Sequence, residues 1–169
     1  MVADPPLSVV GLGASLGDRA NTIGTAVRLL AAWPGVELRG CSRVYASPPR
    51  GGVAGGDFLN AAVVLRCFAG PEALLEALRA VEHRMGRRHT RRWADRVLDL
   101  DVLWIEGLEW SSPTLQVPHP RLHERTFALR PLLDVAPHAA HPATGVRYAT
   151  LPAAAAPLAC VGVLAKPRR

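Results

Sequence analysis

Arg91-Arg92-Trp93-Ala94-Asp95-Arg96-Val97-Leu98-Asp99-Leu100-Asp101-Val102-Leu103 is the stretch from which the fold is read. From Leu98 onward, carboxylates alternate with aliphatic side chains, a period of two that predicts a strand with one face buried and one wet. Asp99 and Asp101 would share a face, roughly 7 Å apart, while Leu98, Leu100 and Val102 pack inward on the other. One-sided burial points to antiparallel pairing rather than to the doubly covered strands of a parallel sheet. Two carboxylates that close raise each other's pKa unless a cation lies between them, and hard oxygen ligands at this spacing suit Mg2+. An Asp-x-Asp on a strand is ordinarily a solvated face, and an arginine-rich loop is ordinarily solvated surface. The setting singles this pair out. Asp is depleted in strands, yet two stand in an apolar β pattern directly after Arg84, Arg87, Arg88, Arg91, Arg92 and Arg96, cations placed to meet the anion a metal would carry.

Working outward, Pro71 opens a helix with Leu74, Leu75, Leu78, Val81, His83 and Met85 on its periodic positions, and Gly86 closes it. Phe58 to Phe68 reads as a strand, as does Val36 to Ala46, and between them Ser47 to Gly56 holds too many prolines and glycines for regular structure. Leu7 to Leu12 is a first strand, followed by a helix carrying Ile23, Ala26, Val27, Leu30 and Ala31 that Pro34-Gly35 stops. After the acidic strand come a turn at Glu106-Gly107 and an extended piece to Val117. Arg121 to Val135 then has helical character interrupted by Pro131, and after about residue 150 a short helix and a weakly ordered tail are expected. The β-α-β-β-α-β order from residue 7 to 105 predicts an α+β, ferredoxin-like fold, an antiparallel-type sheet with helices packed on it.

The chain has 169 residues and 49% hydrophobic content, enough for one domain with a full core, so residues 1–169 are read as a single domain. Net charge is +6, which makes an anionic partner plausible, and Lys166 is the only lysine. Arginine favours planar, bidentate recognition of phosphate. Cys41, Cys67 and Cys160 are odd in number and widely spaced, against a disulfide framework or a cysteine zinc site. No basic segment followed by an apolar run opens the chain, and no apolar run approaches the roughly 18 residues of a spanning helix, so a cytoplasmic protein is expected. Gly11-Leu12-Gly13-Ala14-Ser15-Leu16-Gly17 follows a strand and precedes a helix, but its third glycine is one residue late for a dinucleotide fingerprint. His119 and His123 have zinc-ligand spacing, yet Pro120 lies between them and a third ligand is missing.

Five segments, in order, resemble the 6-hydroxymethyl-7,8-dihydropterin pyrophosphokinase family. They are Tyr45-Ala46-Ser47-Pro48-Pro49, Asp57-Phe58-Leu59-Asn60-Ala61-Ala62-Val63, Arg92 to Leu103, Val117-Pro118-His119 and Arg125-Thr126-Phe127. The resemblance covers roughly residues 8 to 148. It implies a ferredoxin-like fold, ATP as co-substrate, two Mg2+ ions on Asp99 and Asp101, and transfer of a pyrophosphoryl group to a pterin hydroxymethyl with release of AMP. Arg87, Arg96 and His119 would contact the phosphates and Arg125 would close on them. Arg88, Arg91 and Arg92 are all candidates for the next loop contact, because this loop is one residue shorter than in many relatives. For the pterin, the resemblance implies Asn60, the aromatic rings of Phe127 and Tyr45, Ser47, the backbone to Pro48, and Trp93 as a cover. Loops 47 to 56 and 86 to 95 would act as lids. A monomer binding neither nucleic acid nor membrane is expected.

The chain departs from the family pattern at Ala14 and Ser15, where Ser-Asn is usual, at Asp95, where proline or a small residue is common, and at Arg50, Thr114 and Pro120. Two other readings are weighed. A non-catalytic ferredoxin-like module reading RNA would expose paired aromatics on central strands, and the acidic pair would repel phosphate unless metal-bound. A conventional kinase moving one γ-phosphoryl group would release ADP instead of AMP.

Overall fold

The computed structural model describes residues 4–48, 56–86 and 97–167. In chain order its elements are β1 (Leu7–Ala14), α1 (Arg19–Ala31), β2 (Val36–Cys41), β3 (Arg43–Ser47), β4 (Phe58–Cys67), α2 (Pro71–Arg84) and β5 (Asp99–Ile105). There follow β6 (Trp110–Ser111), β7 (Gln116–Val117), α3 (Thr126–Val135), α4 (Pro152–Ala155) and β8 (Ala159–Val163). The main sheet runs β5-β1-β4-β3-β8, with β2 also paired to β4, and every pairing in it is antiparallel. Taking β2 and β3 as two halves of one strand gives the expected ferredoxin-like arrangement.

Local chemistry explains the boundaries. Asp18 caps α1, its carboxylate accepting the Asn21 amide at 3.1 Å, and Pro71 stands in the first turn of α2, where its missing N–H costs nothing. The single strand expected over 36–46 is instead two. Ser42 interrupts it: its hydroxyl oxygen accepts the Ala62 amide at 2.8 Å, and its own amide donates to Ala62 O at 2.9 Å. The extended piece expected up to Val117 is a short hairpin, β6 against β7. The weakly ordered tail expected after about residue 150 is corrected over Ala159–Val163, which pairs with the outer edge of β3, and the Leu164 amide bonds Ser42 O at 3.2 Å. An open strand edge offers unpaired backbone groups to any segment within reach, even one of weak apolar pattern.

Two cores result, one on each face of the sheet. On one, Ile23, Ala26, Val27 and Leu30 of α1 and Leu74, Leu78 and Val81 of α2 pack on Val10, Leu12, Val63, Leu65, Leu100 and Val102. The other face carries Ala128, Leu129 and Leu132 of α3 over Val9, Ala62, Val64 and Leu103. Beneath Leu103, β1 comes close: a Cβ at Gly11 would lie 3.0 Å from the Leu103 Cδ1 atom. Gly11→Ala is therefore expected to destabilise the protein by about 1–3 kcal/mol through overpacking. A urea midpoint equal to that of the wild type would show that Leu103 yields freely. Among the described residues, no helix is long and apolar enough to cross a membrane.

Candidate active site

Residues opposed in an antiparallel ladder point to the same face. β5, β1, β4 and β3 therefore lay Asp99, Gly13, Asn60 and Tyr45 in one row across the sheet, because Gly13 faces both Asp99 and Asn60, and Asn60 faces Tyr45. The neighbouring row holds Asp101, Gly11 and Ala62. Two strand spacings, roughly 9–10 Å, separate Asp99 from Asn60. Between them Gly13 contributes only backbone: a Cβ there would meet nothing within 4 Å except Asn60 Oδ1 at 3.8 Å. Internal packing thus does not demand this glycine. Its effect is an open floor with an amide at one end and two carboxylates at the other.

Leu98, Leu100 and Val102 are buried, as the alternation predicts, and Asp99 and Asp101 are half-buried on the opposite face. Among the described residues β5 is an edge strand, so the Leu100 amide, midway between the aspartates, has no strand partner on its outer side. Glu82 supplies one, its Oε1 accepting that amide at 2.8 Å from a side chain only 6% exposed. A buried carboxylate must be satisfied, and this one fixes the backbone that spaces the two aspartates. Sequence reading passed over Glu82. The available signal was its position four residues after Leu78, on the buried stripe of α2.

His119 follows a cis Val117–Pro118 bond and is tied to β5 by its amide, which donates to Leu103 O at 2.9 Å. Its Nδ1 accepts the Arg121 amide at 3.1 Å, so the neutral ring carries its proton on Nε2, as a donor. Burial first, then the charge of Arg125, lowers its pKa below the ordinary 6.5, with Asp99 pulling the other way. The unfolded chain thus takes up a proton before the folded one does, so this histidine's contribution to stability is complete above the ordinary value and is lost as pH falls through the depressed one. His119→Asn is expected to flatten the loss of stability below about pH 6.5, read as denaturant midpoints against pH; parallel curves for variant and wild type would contradict it. Arg125 sits at the N-cap of α3, its guanidinium carbon 5.8 Å from the centre of the Phe127 ring.

Asn60 is buried, and its Nδ2 donates to Ser47 Oγ at 2.9 Å. Tyr45, next in the row, is fully enclosed: its hydroxyl donates to Asp134 at 2.9 Å, and the Arg43 and Arg130 guanidinium carbons lie 5.6 and 5.9 Å from its ring centre. It backs the site from beneath α3. Pro48 is exposed at the end of β3. Arg87, Arg88, Arg91, Arg92, Trp93 and Arg96 lie outside the described residues, as do Arg50, Asp95 and most of both expected lids.

A cavity of about 370 Å3 opens beside the carboxylates, lined by Asp101, Leu75, Leu100, Thr114, Leu115 and His119 among others. A larger one of about 560 Å3 lies beyond His119 and Pro120, lined by Trp110, His123, His141 and Tyr148, and touches neither aspartate. The smaller is the one adjoining the acidic pair. Among the described residues no cluster of three or more His, Cys, Asp or Glu side chains is assembled for a metal. Two carboxylates with room for an anion fit Mg2+, which takes one or two protein carboxylates and completes its shell with phosphate and water.

Residues 9–137 match the family described as 7,8-dihydro-6-hydroxymethylpterin-pyrophosphokinase (HPPK). The chain is 42% identical over 128 residues to a 2-amino-4-hydroxy-6-hydroxymethyldihydropteridine pyrophosphokinase from Methylorubrum extorquens, covering 76% of this chain and 81% of that one. A protein of the same name from Bacillus subtilis is 35% identical over 129 residues, covering 76% and 77%. Among solved structures, the wild-type Plasmodium falciparum HPPK-DHPS chain superposes with a TM-score of 0.66 at 13% identity. That match covers 88% of this chain but only 44% of the Plasmodium chain, and at such identity it shows the fold alone.

Proposed function

The chain belongs to the 7,8-dihydro-6-hydroxymethylpterin pyrophosphokinase family, and from that premise we propose how its residues move a pyrophosphoryl group from ATP to 6-hydroxymethyl-7,8-dihydropterin in folate biosynthesis. The observation that carries the reading is the row Asp99–Gly13–Asn60, which sets an acidic pair and a buried amide at opposite ends of one open floor.

Asn60 takes the pyrimidine edge of the pterin, its amide offering both a donor and an acceptor, with Ser47 holding its orientation at 2.9 Å. The ring then lies over Gly13, with Phe127 beside it, Tyr45 behind Asn60, the chain near Pro48 at its rim and Trp93 as its cover. That pose directs the hydroxymethyl group toward the acidic end. Asp99 and Asp101 hold Mg2+, two ions in this reading, which when bound neutralise charge on the phosphates. The triphosphate is met by Arg96, Arg87, one of Arg88, Arg91 and Arg92, and His119 through its Nε2 proton. Arg125 closes from α3. The adenosine part occupies the cavity lined by Leu75, Leu100, Thr114 and Leu115. In-line attack by the hydroxyl oxygen on the β-phosphorus forms one P–O bond as the bond to the α,β-bridging oxygen breaks, so AMP departs and the hydroxyl proton is released to solvent. Residues 1–169 are read as one domain acting as a cytoplasmic monomer, without nucleic acid or membrane.

The test is to incubate the protein with ATP, Mg2+ and the pterin and to separate the nucleotides by chromatography. AMP formed only when pterin is present is expected. ADP in its place would mean γ-phosphoryl transfer and would overturn the proposed alignment of the β-phosphorus with the pterin hydroxyl.

A further inference from the structure

We infer that Glu72 is a positioning residue for the nucleotide: its carboxylate pins the β6–β7 hairpin to α2 and so fixes the wall that Thr114, Leu115 and Gln116 give to the cavity beside Asp101. The inference rests on the reading that this cavity takes ATP.

The hairpin cannot hold itself. Each of its strands is two residues long, and a two-stranded ribbon alone is marginal in water at best. Its turn is closed by Ser112, whose hydroxyl oxygen accepts the amides of Leu115 at 3.0 Å and Thr114 at 3.2 Å. These bonds shape the turn without attaching it to anything. Leu115 and Val117 bury their side chains in the core, and hydrogen bonds add attachment at two places. Beyond the C-terminal strand, the His119 amide donates to Leu103 O on β5. At the other end, Trp110 Nε1 donates to Glu72 Oε1 at 3.0 Å and the Thr114 hydroxyl donates to Glu72 Oε2 at 3.1 Å. One carboxylate therefore holds both the first strand and the turn, which restrains rotation of the hairpin as well as its position.

Glu72 is placed to do this. It stands in the first turn of α2, where a negative charge is favoured, and Leu75, one turn further on, lines the same cavity as Thr114. Proximity of the Ser112 hydroxyl first, then the hydrogen bonds from Trp110 and from Thr114, hold its carboxyl below the ordinary carboxylate value. Glu72 does not itself line the cavity. Its influence on the nucleotide passes through the hairpin.

Steady-state kinetics of Glu72→Ala, Glu72→Gln and Trp110→Phe, each with its Tm, test the inference. Glu72→Ala is expected to raise KM for ATP about tenfold, the scale of one or two lost charge-assisted bonds. KM for the pterin, kcat and Tm should change little. Glu72→Gln keeps one oxygen acceptor and should recover part of the ATP affinity. Trp110→Phe removes one of the same bonds from the other side, so it should add little in the Glu72→Ala background. An unchanged KM for ATP would overturn the inference, as would a rise in both KM values with a fall in Tm that glutamine does not relieve. Wild-type turnover in the same assay separates the two levels: a wild type that forms no pterin-dependent AMP overturns the ATP reading and this inference with it, whereas an active wild type with a neutral Glu72→Ala overturns this inference alone.

Discussion

Asp101→Ala is expected to lower kcat by on the order of a thousandfold, about 4 kcal/mol of transition-state stabilisation, while the protein stays folded. Asp101 lines the cavity beside the acidic pair and shares its face of β5 with Asp99. Without it, a metal clamp on the phosphates is left with one protein carboxylate where two are needed to hold charge against the leaving group. The same substitution should leave stability nearly unchanged. Asp101 is half-exposed, and removing one of two nearby like charges relieves the repulsion between them. Asp99→Ala should act in the same direction. Asn60, the proposed pterin contact, lies two strands away across Gly13, so pterin affinity should hold in both variants. The check is kcat, Mg2+ dependence and Tm measured together; turnover within about tenfold of wild type would remove Asp101 from the metal site.

Asn60→Leu should act at the other end of the floor. Leucine has nearly the shape of asparagine but neither donor nor acceptor, so a pterin edge buried against it loses its partners and is not rehydrated. A site built to hydrogen-bond its substrate discriminates strongly against a missing bond, and kcat/KM for the pterin is expected to fall on the order of 100- to 1000-fold. Within the protein, Ser47 Oγ also loses the donor that lies 2.9 Å away. KM for ATP should stay within about threefold, because Asn60 is not among the described residues that line the cavity proposed for the nucleotide. An equal loss toward both substrates would show that the floor is not partitioned in this way.

What the sequence revealed and what it hid divide along one physical line. Patterns of period 2 and 3.6 are local, so the wet face of Asp99 and Asp101 and the buried stripes of α1 and α2 were legible from consecutive residues. The β-α-β-β-α-β order followed from those patterns, and with it the fold class. Features made by long-range pairing were not legible. Gly13 gains its meaning only once register sets it between Asp99 and Asn60. Tyr45 suggested an aromatic wall by resemblance, whereas its hydroxyl is engaged by Asp134 from 89 residues away. Glu82 and Glu72 each act on a backbone or side chain far along the chain, and in sequence both are ordinary helical carboxylates. β8 was hidden differently: Cys160-Val161-Gly162-Val163 sits in an alanine- and proline-rich run, and only the open edge of β3 makes it a strand.

The most direct test is a crystal structure of the protein with a non-hydrolysable ATP analogue, Mn2+ and 6-hydroxymethyl-7,8-dihydropterin, using the anomalous signal of manganese to locate the ions. Manganese bound to Asp99 and Asp101, with the pterin ring over Gly13 and its pyrimidine edge on Asn60, is the predicted result. Manganese away from both aspartates, or a pterin that does not lie across Gly13 from them, would contradict it.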